Sequence, residues 1–135
     1  NIMYEIELTT NDKYYDAYYF KTKNENNQTL QLDIIDSTSS ELSTFKTYYI
    51  SFSINTKRKH GYQYLKQTGK DGIKSLIWAK KCIKHFIKNN LKNGDKIVIY
   101  ADDSRRFNIY AKGLKELKFD ITKVNNRKAL IYKHV

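Results

Sequence analysis

The hydrophobic periodicity of this chain changes near Gly69, and that change constrains the fold more than any other feature. Before it, apolar and polar residues alternate, most regularly over residues 48–54, and a period of two predicts β-strands. After it, over residues 71–91, apolar residues recur three and four positions apart, which predicts a long amphipathic helix. Strands followed by helices favour a mixed α/β fold of the α+β type.

The remaining elements follow from the same patterns. Three consecutive apolar residues at 97–99 predict a strand buried on both faces, and therefore a parallel strand in the middle of the sheet. The polar turn at 24–28 favours an antiparallel hairpin. A second helix is expected from Asp102, Asp103 or Ser104 to about Lys118. Strands are predicted at residues 3–9, 14–23, 29–35, 48–54, 96–101, 119–122 and 129–134, and 62–68 is either a short strand or an extended arm.

Composition limits the classes of protein that this chain could represent. Its 135 residues, 40% of them hydrophobic, fit one domain, and no proline, repeat or linker divides them, so we expect a single domain over residues 1–135. No run approaches the roughly 18 apolar residues that a spanning helix needs, so we expect a cytoplasmic protein without a membrane partner. The single Cys82 cannot form an internal disulfide, and three dispersed histidines predict no metal site.

The charge of the chain is concentrated in its C-terminal part. The formal net charge is +11, but residues 1–55 carry −4 and residues 56–135 carry +15. A localised excess of this kind is typical of a surface that binds a polyanion, such as a nucleic acid, an acidic protein or a phosphorylated cofactor. The same lysines would also serve solubility alone.

Two glycines lie where a strand-like segment runs into the first predicted helix. Glycine lets backbone amides approach a ligand, and the N-terminus of a helix attracts phosphate, so this junction is a candidate phosphate cradle. It matches neither of the common nucleotide-binding fingerprints, and a pair of glycines before a helix also serves as a plain turn. The candidate cradle residues are Gln67, Thr68, Gly69, Lys70, Asp71, Gly72 and Ile73.

The order of these elements resembles the GNAT N-acetyltransferase superfamily, in particular small acetyltransferase-like proteins encoded by phages. The resemblance spans residues 48–132. It is carried by residues 64–72, the Trp78-Ala79 helix, residues 97–102, residues 105–110 and residues 114–119. It implies acetyl-CoA or another acyl-CoA as cofactor, a pyrophosphate bound by the backbone amides of the candidate cradle, and transfer of the acyl group to an amine. If the protein is encoded by a phage or another mobile element, the resemblance also implies that it is located in the cytoplasm of the host.

The resemblance also assigns chemical roles to individual residues. Tyr110 matches the family's tyrosine that protonates the departing CoA thiolate, although its position on an apolar stripe equally suits a core aromatic contact. Family members often carry a general base on the central strands, and the options here are Asp33, Asp36 and the pair at 102–103, which would also suit a helix cap. Cys82 is expected to be a small core residue and His85 to be solvated.

A row of lysines follows helical spacing on the polar side of the first helix, and two arginines begin the second helix. This basic set consists of Lys74, Lys81, Lys84, Lys88, Lys92, Arg105 and Arg106. Its members could contact phosphates, or they could form only a solvated face. Three functions therefore remain open: an acyl-CoA-dependent transferase, an inactive GNAT-like binding or virion protein that grips nucleic acid or an acidic partner, and a structural protein whose tyrosines form an interface. The sequence does not predict the oligomeric state.

Overall fold

The computed structural model describes residues 7–11, 17–38, 44–55, 62–64, 71–101 and 104–135. The strands are β1 (Glu7–Asn11), β2 (Ala17–Lys23), β3 (Thr29–Asp36), β4 (Thr47–Asn55), β5 (Tyr62–Tyr64), β6 (Lys96–Tyr100), β7 (Asp120–Val124) and β8 (Arg127–Lys133). The helices are α1 (Asp71–Asn89) and α2 (Ser104–Leu114), and a 3-10 turn (Lys115–Leu117) follows α2. The described part of the chain is thus a mixed α+β domain, as the sequence predicts.

The described strands form one sheet in the order β1-β2-β3-β4-β6-β8-β7, and β5 pairs with β4 beside this path. Every pairing is antiparallel except that between β4 and β6. Parallel strands need a long crossover connection, which α1 supplies between β5 and β6. The parallel central strand predicted from residues 97–99 is therefore confirmed.

The β2–β3 hairpin, also predicted from the sequence, is held by the side chain of Asn24. Its Oδ1 accepts hydrogen bonds from the backbone N–H groups of Asn26, at 3.0 Å, and Gln28, at 2.9 Å. Asn27 adopts a left-handed backbone with φ of 59°, a conformation that asparagine tolerates better than most residues. The side chain of Asn24 thus provides hydrogen-bond partners for backbone N–H groups of this turn.

Both helices pack on the same face of the sheet. Register alternation puts Phe20, Leu32 and Phe52 side by side on that face, and the same core contains Trp78 and Phe86 of α1. Phe86 is fully buried, with its ring centroid 4.9 Å from that of Tyr18 and 5.0 Å from that of Tyr48. The buried set also includes Phe107 and Leu114 of α2. No described helix is long and apolar enough to cross a membrane.

The structure adjusts several predicted boundaries. The α1 helix ends at Asn89, two residues before the predicted end, and α2 gives way to the 3-10 turn after Leu114. The last two strands lie closer together than predicted because Asn125 and Asn126, with φ of 52° and 63°, form a two-residue hairpin turn. Predicted strand residues 3–6, 14–16 and 65–68 lie outside the described residues.

The start of the parallel strand pair is fixed by a buried carboxylate. The two oxygens of Asp95, which is 3% exposed, accept the backbone N–H groups of Lys46 and Lys92, each at 2.9 Å. Gly94, with φ of +93°, lies against the ring of Phe45, and a Cβ there would lie 2.3 Å from a ring carbon. These contacts hold β4 and β6 together where both strands begin.

Candidate functional site

Strand β4 changes its partner partway along one edge. Residues 48–55 pair with β3, so β6 and β5 must share the opposite edge. Residues 47–50 pair with β6, and residues 53–55 pair with β5. Ser51 and Phe52 therefore have no strand partner on this edge among the described residues.

A cavity of about 470 Å³ lies at this interruption, between α1 and α2. It is lined by Ile50, Ser51 and Phe52 of β4, Leu76, Ile77, Ala79, Lys80 and Ile83 of α1, Ile99, Tyr100 and Ala101 at the end of β6, Arg106, Ile109, Tyr110, Gly113 and Leu114 of α2, and by Leu32 and Arg127. Successive side chains of a strand point to opposite faces, so three consecutive lining residues indicate that the cavity reaches the edge of β4 itself.

The walls of the cavity are mainly apolar, and its charged lining residues are all basic: Lys80, Arg106 and Arg127. Lys80 forms an ion pair with Glu116 in the 3-10 turn, and its hydrogen bond holds the pKa of that carboxyl below its usual value. Apolar walls with a few convergent polar groups are typical of ligand pockets. The arrangement suits a ligand that combines an apolar part with an anionic group.

Tyr110 lines this cavity together with Arg106 and Gly113, which lie on the same side of α2 at helical spacing. Its side chain is half-buried and also packs against the edge of the hydrophobic core. The sequence left open whether Tyr110 is a general acid or a core aromatic contact, and this position is compatible with both roles. Ile77 belongs to the apolar pattern of residues 71–91 that predicts α1, yet 57% of it is exposed where it lines the cavity.

The candidate cradle lies largely outside the described residues, which omit residues 65–70 and the side chains of residues 71–73. The α1 backbone begins at Asp71, five residues before the lining residue Leu76. At 1.5 Å per residue, the start of α1 is about 7–8 Å along the helix from the cavity wall. The first-turn amides of a helix have no partner within the helix and attract anions.

Of the candidate bases, Asp33 lies nearest to the cavity in the sheet register. It is directly opposite Ser51, on the face away from the helices, and its Oδ1 accepts a 2.7 Å hydrogen bond from Nε2 of Gln31. Burial raises the pKa of the Asp33 carboxyl, and this outweighs the opposing effect of the Gln31 bond. The Oε1 atom of Gln31 is buried without a hydrogen-bond partner among the described residues.

The other candidate bases are less well suited. Asp36 accepts the backbone N–H of Thr38 at 2.9 Å and lies 3.9 Å from Nζ of Lys46, so it stabilises the chain after β3. Asp102 and Asp103 lie outside the described residues. Asp33 does not line the cavity either, so none of the candidate bases in the described part of the chain is in its wall.

Sequence reasoning did not identify the aromatic and cationic group at the end of β6. The rings of Tyr49 and Tyr100 stack with their centroids 5.7 Å apart, and the guanidinium of Arg127 lies 4.5 Å from the Tyr100 ring centroid. Partial burial is the main cause that raises the pKa of Tyr100, and the neighbouring Tyr49 hydroxyl raises it further. Only the pairing of β4, β6 and β8 brings these three residues together, so no local sequence signal marks them.

The predicted basic set divides between different environments. Lys84, Lys88 and Lys92 are exposed and Lys81 is half-buried, whereas Lys74 pairs with Glu25 in the β2–β3 turn. Arg105 is exposed, and Arg106 lines the cavity. The members of the set therefore lie in different environments.

The two remaining predictions concern reactive side chains and metals. Cys82 is fully buried, and burial raises the pKa of its thiol, which makes it a poor nucleophile. His85 is exposed, as expected. The described residues contain no group of histidine, cysteine or carboxylate side chains that could hold a metal ion.

No protein-family model, curated protein or solved structure matches this chain. Its function must therefore be inferred from the geometry and chemistry of the cavity.

Proposed function

We propose that this chain is a GNAT-like acyltransferase that binds acetyl-CoA or another acyl-CoA in the cavity and transfers the acyl group to an amine. The observation that carries the proposal is the cavity between α1 and α2, with Tyr110 in its wall, at the interruption of β4 pairing. The order of elements supports it: antiparallel strands, α1, the central strand β6, α2 and the closing hairpin follow the order on which the resemblance rests.

The cavity suits the chemistry of such a cofactor. Its volume of about 470 Å³ lies within the range of roughly 300–1,000 Å³ that ligand pockets commonly have. An acyl-CoA has a narrow arm that ends in the acyl group and phosphates at its other end. The apolar walls would receive the arm, and the first-turn amides of α1 would bind a phosphate. Arg106, Arg127 and Lys80, which is paired with Glu116, would add positive charge to the cavity wall.

One residue in the cavity wall would manage the proton of the leaving group. A bound acyl-CoA supplies a thioester carbonyl activated for attack. Tyr110 carries a proton at Oη in the cavity wall and would act as the general acid. The attacking amine would lose its proton to solvent, because none of the described lining residues is a carboxylate and Asp33 lies on the far face of the sheet.

Gly113 provides the sharpest test of cofactor binding. A Cβ at this position meets nothing within 4 Å, so Gly113→Leu should extend into the cavity while Gly113→Ala serves as the matched control. Acetyl-CoA at 100 times its Kd should stabilise the wild type by about 2.7 kcal/mol, which corresponds to a rise in Tm of about 10 °C for a chain of this length. We expect a similar rise for the alanine variant and little or none for the leucine variant.

Tyr110→Phe separates binding from chemistry. It should retain the acetyl-CoA-induced rise in Tm but slow thiol release in the presence of a panel of primary amines by about 100-fold or more. Absence of any shift in the wild type at saturating acetyl-CoA, or equal shifts in the alanine and leucine variants, would refute cofactor binding in this cavity.

The alternative is an inactive GNAT-like protein that binds nucleic acid or an acidic partner through its basic C-terminal part. The exposed Lys84, Lys88 and Lys92 side chains on and just after α1 favour it. Under this alternative, acetyl-CoA leaves Tm unchanged, whereas a polyanion raises it in a salt-sensitive way.

A further inference from the structure

The cavity has an inner end that is formed by residues of the hydrophobic core. Five of its described lining residues are at most 9% exposed: Leu32 of β3, Ala79 and Ile83 of α1, Ile99 of β6 and Leu114 of α2. All five belong to the buried cluster that contains Trp78 and Phe86. The cavity therefore extends from the interruption of β4 pairing into the core.

An apolar space of this size is unusual in the interior of a protein. Protein interiors are close-packed, and few of their voids are larger than a water molecule. An engineered apolar cavity of about 150 Å³ stays dry and binds benzene. The cavity of this protein measures about 470 Å³. Its inner end therefore suits the apolar part of a ligand rather than water.

The inner end favours a hydrocarbon chain over a polar group. Its five side chains are aliphatic. Leu32 lies in β3, which is paired along both edges, and Ala79 and Ile83 lie within α1, so the backbone groups of these residues are already paired in the sheet or the helix. Burying an amide or a hydroxyl without a partner costs free energy, and an aliphatic chain contains no such group.

Two of the basic lining residues lie on elements away from β3. Arg106 is in the first turn of α2, and Arg127 begins β8. In the sheet order, β4 and β6 separate β8 from β3, which carries Leu32. A ligand with a hydrocarbon chain at one end and an anionic group at the other is complementary to this distribution of apolar and positive groups.

The width of the sheet beside the cavity indicates the length of the chain. Leu32 of β3 and Ile99 of β6 both line the cavity, and β4 lies between their strands. Adjacent strands are about 4.8 Å apart, so β3 and β6 are separated by about 10 Å. A fully extended chain advances about 3.6 Å for every three bonds, so about eight bonds cover this distance.

We infer that the inner end of the cavity binds a medium-chain acyl group of about eight carbon atoms, so that the preferred acyl donor is an ester such as octanoyl-CoA rather than acetyl-CoA. The assignment of the chain to an acyl-CoA rests on the proposed function. A free fatty acid carries the same hydrocarbon chain together with an anionic carboxylate, and the experiment distinguishes these two sources.

The test is isothermal titration of the full chain with free octanoate and with the acetyl, butyryl, hexanoyl, octanoyl and dodecanoyl esters of CoA. Each CH₂ group that enters the inner end should tighten binding about fourfold. If half of the CH₂ groups by which octanoyl exceeds acetyl are buried, octanoyl-CoA should bind about 60-fold more tightly than acetyl-CoA. The dodecanoyl ester should bind no more tightly than the octanoyl ester, because its additional carbons find no space.

Ala79→Leu tests the location of the chain, because the larger side chain occupies the inner end. It should weaken octanoyl-CoA binding about tenfold or more and change acetyl-CoA binding by no more than about twofold. Ala111→Leu is the matched control: Ala111 is a half-buried residue of α2 that packs against the core and is not among the described lining residues. Urea unfolding verifies the fold of both variants, and Ile83→Phe replaces Ala79→Leu if that variant does not fold.

The possible outcomes separate this inference from the proposed function. Equal affinity for all the CoA esters, or an equal loss in Ala79→Leu and Ala111→Leu, overturns the inference and leaves the transferase proposal standing. Binding of octanoate that Ala79→Leu weakens, without binding of any CoA ester, supports the chain site and overturns the transferase proposal. If neither the esters nor octanoate bind, both are overturned.

Discussion

Replacing Gly113 by alanine should stabilise the protein, and the structure sets the size of the effect. Gly113 is the penultimate residue of α2, its φ is not in the left-handed region, and an added Cβ meets no atom within 4 Å. Alanine restricts the unfolded chain and favours the helix, which together should add about 0.5–1 kcal/mol to the free energy of unfolding. An unfolding entropy of about 0.28 kcal/mol/K for a chain of this length converts that gain into a rise in Tm of about 2–4 °C.

Gly94→Ala is the contrasting variant because it should destabilise the protein. The φ of +93° at Gly94 is strained for any residue with a Cβ, and the added atom would lie 2.3 Å from Cδ1 of Phe45. Phe45 is 54% exposed and can move, so backbone strain of about 1–2 kcal/mol should dominate the loss. Urea unfolding of both variants measures the midpoints and the m-values. A lower midpoint for Gly113→Ala, or an unchanged one for Gly94→Ala, would refute this account of the backbone conformation at the two glycines.

Three further predictions concern the core, the strand connection and the candidate base. Phe86→Ala should lower the free energy of unfolding by about 3–5 kcal/mol, because it leaves a cavity at a fully buried ring; a urea midpoint near that of the wild type would contradict the packing. Asp95→Ala should cost about 2–6 kcal/mol, because two backbone donors lose their acceptor, and Asp95→Asn should cost less; equal losses for the two variants would argue against this role. Burial raises the pKa of Asp33 above 3.8, so the folded state binds its proton more tightly and wild-type stability falls as pH rises through the range just above 3.8. Asp33→Asn should therefore be more stable than the wild type at pH 7 and lose that advantage at pH 3, and an advantage of equal size at both pH values would exclude the titration of Asp33 as its cause.

Local sequence patterns were sufficient for most of the elements. The alternation at 48–54 and the helical spacing at 71–91 identify β4 and α1 to within two residues at either end, because these periods reflect which side of an element is buried. The apolar run at 97–99 predicted the parallel position of β6, because a strand covered on both faces has no polar side. Helix ends and the last hairpin were less accurate, because capping and turn conformation depend on one or two residues.

The candidate site was only partly accessible from the sequence. Tyr110 was identified through the order of elements, and the structure puts it in the cavity wall. The interruption of β4 pairing carries no signal in the residues of β4 themselves, because it depends on where β5 and β6 end along a shared edge. The grouping of Arg127 with Tyr100 likewise arises from strand pairing.

The sequence by itself determined the kinds of elements, their order and the concentration of positive charge in the C-terminal part. Those properties are local or additive, so composition and periodicity contain them. Only the tertiary structure decided which distant residues come together: Asp33 lies opposite Ser51, Tyr110 and residues 50–52 line one cavity, and Arg127 lies over the ring of Tyr100. The physical reason is that register and helix packing set these distances, and both result from burying one common core rather than from any single segment.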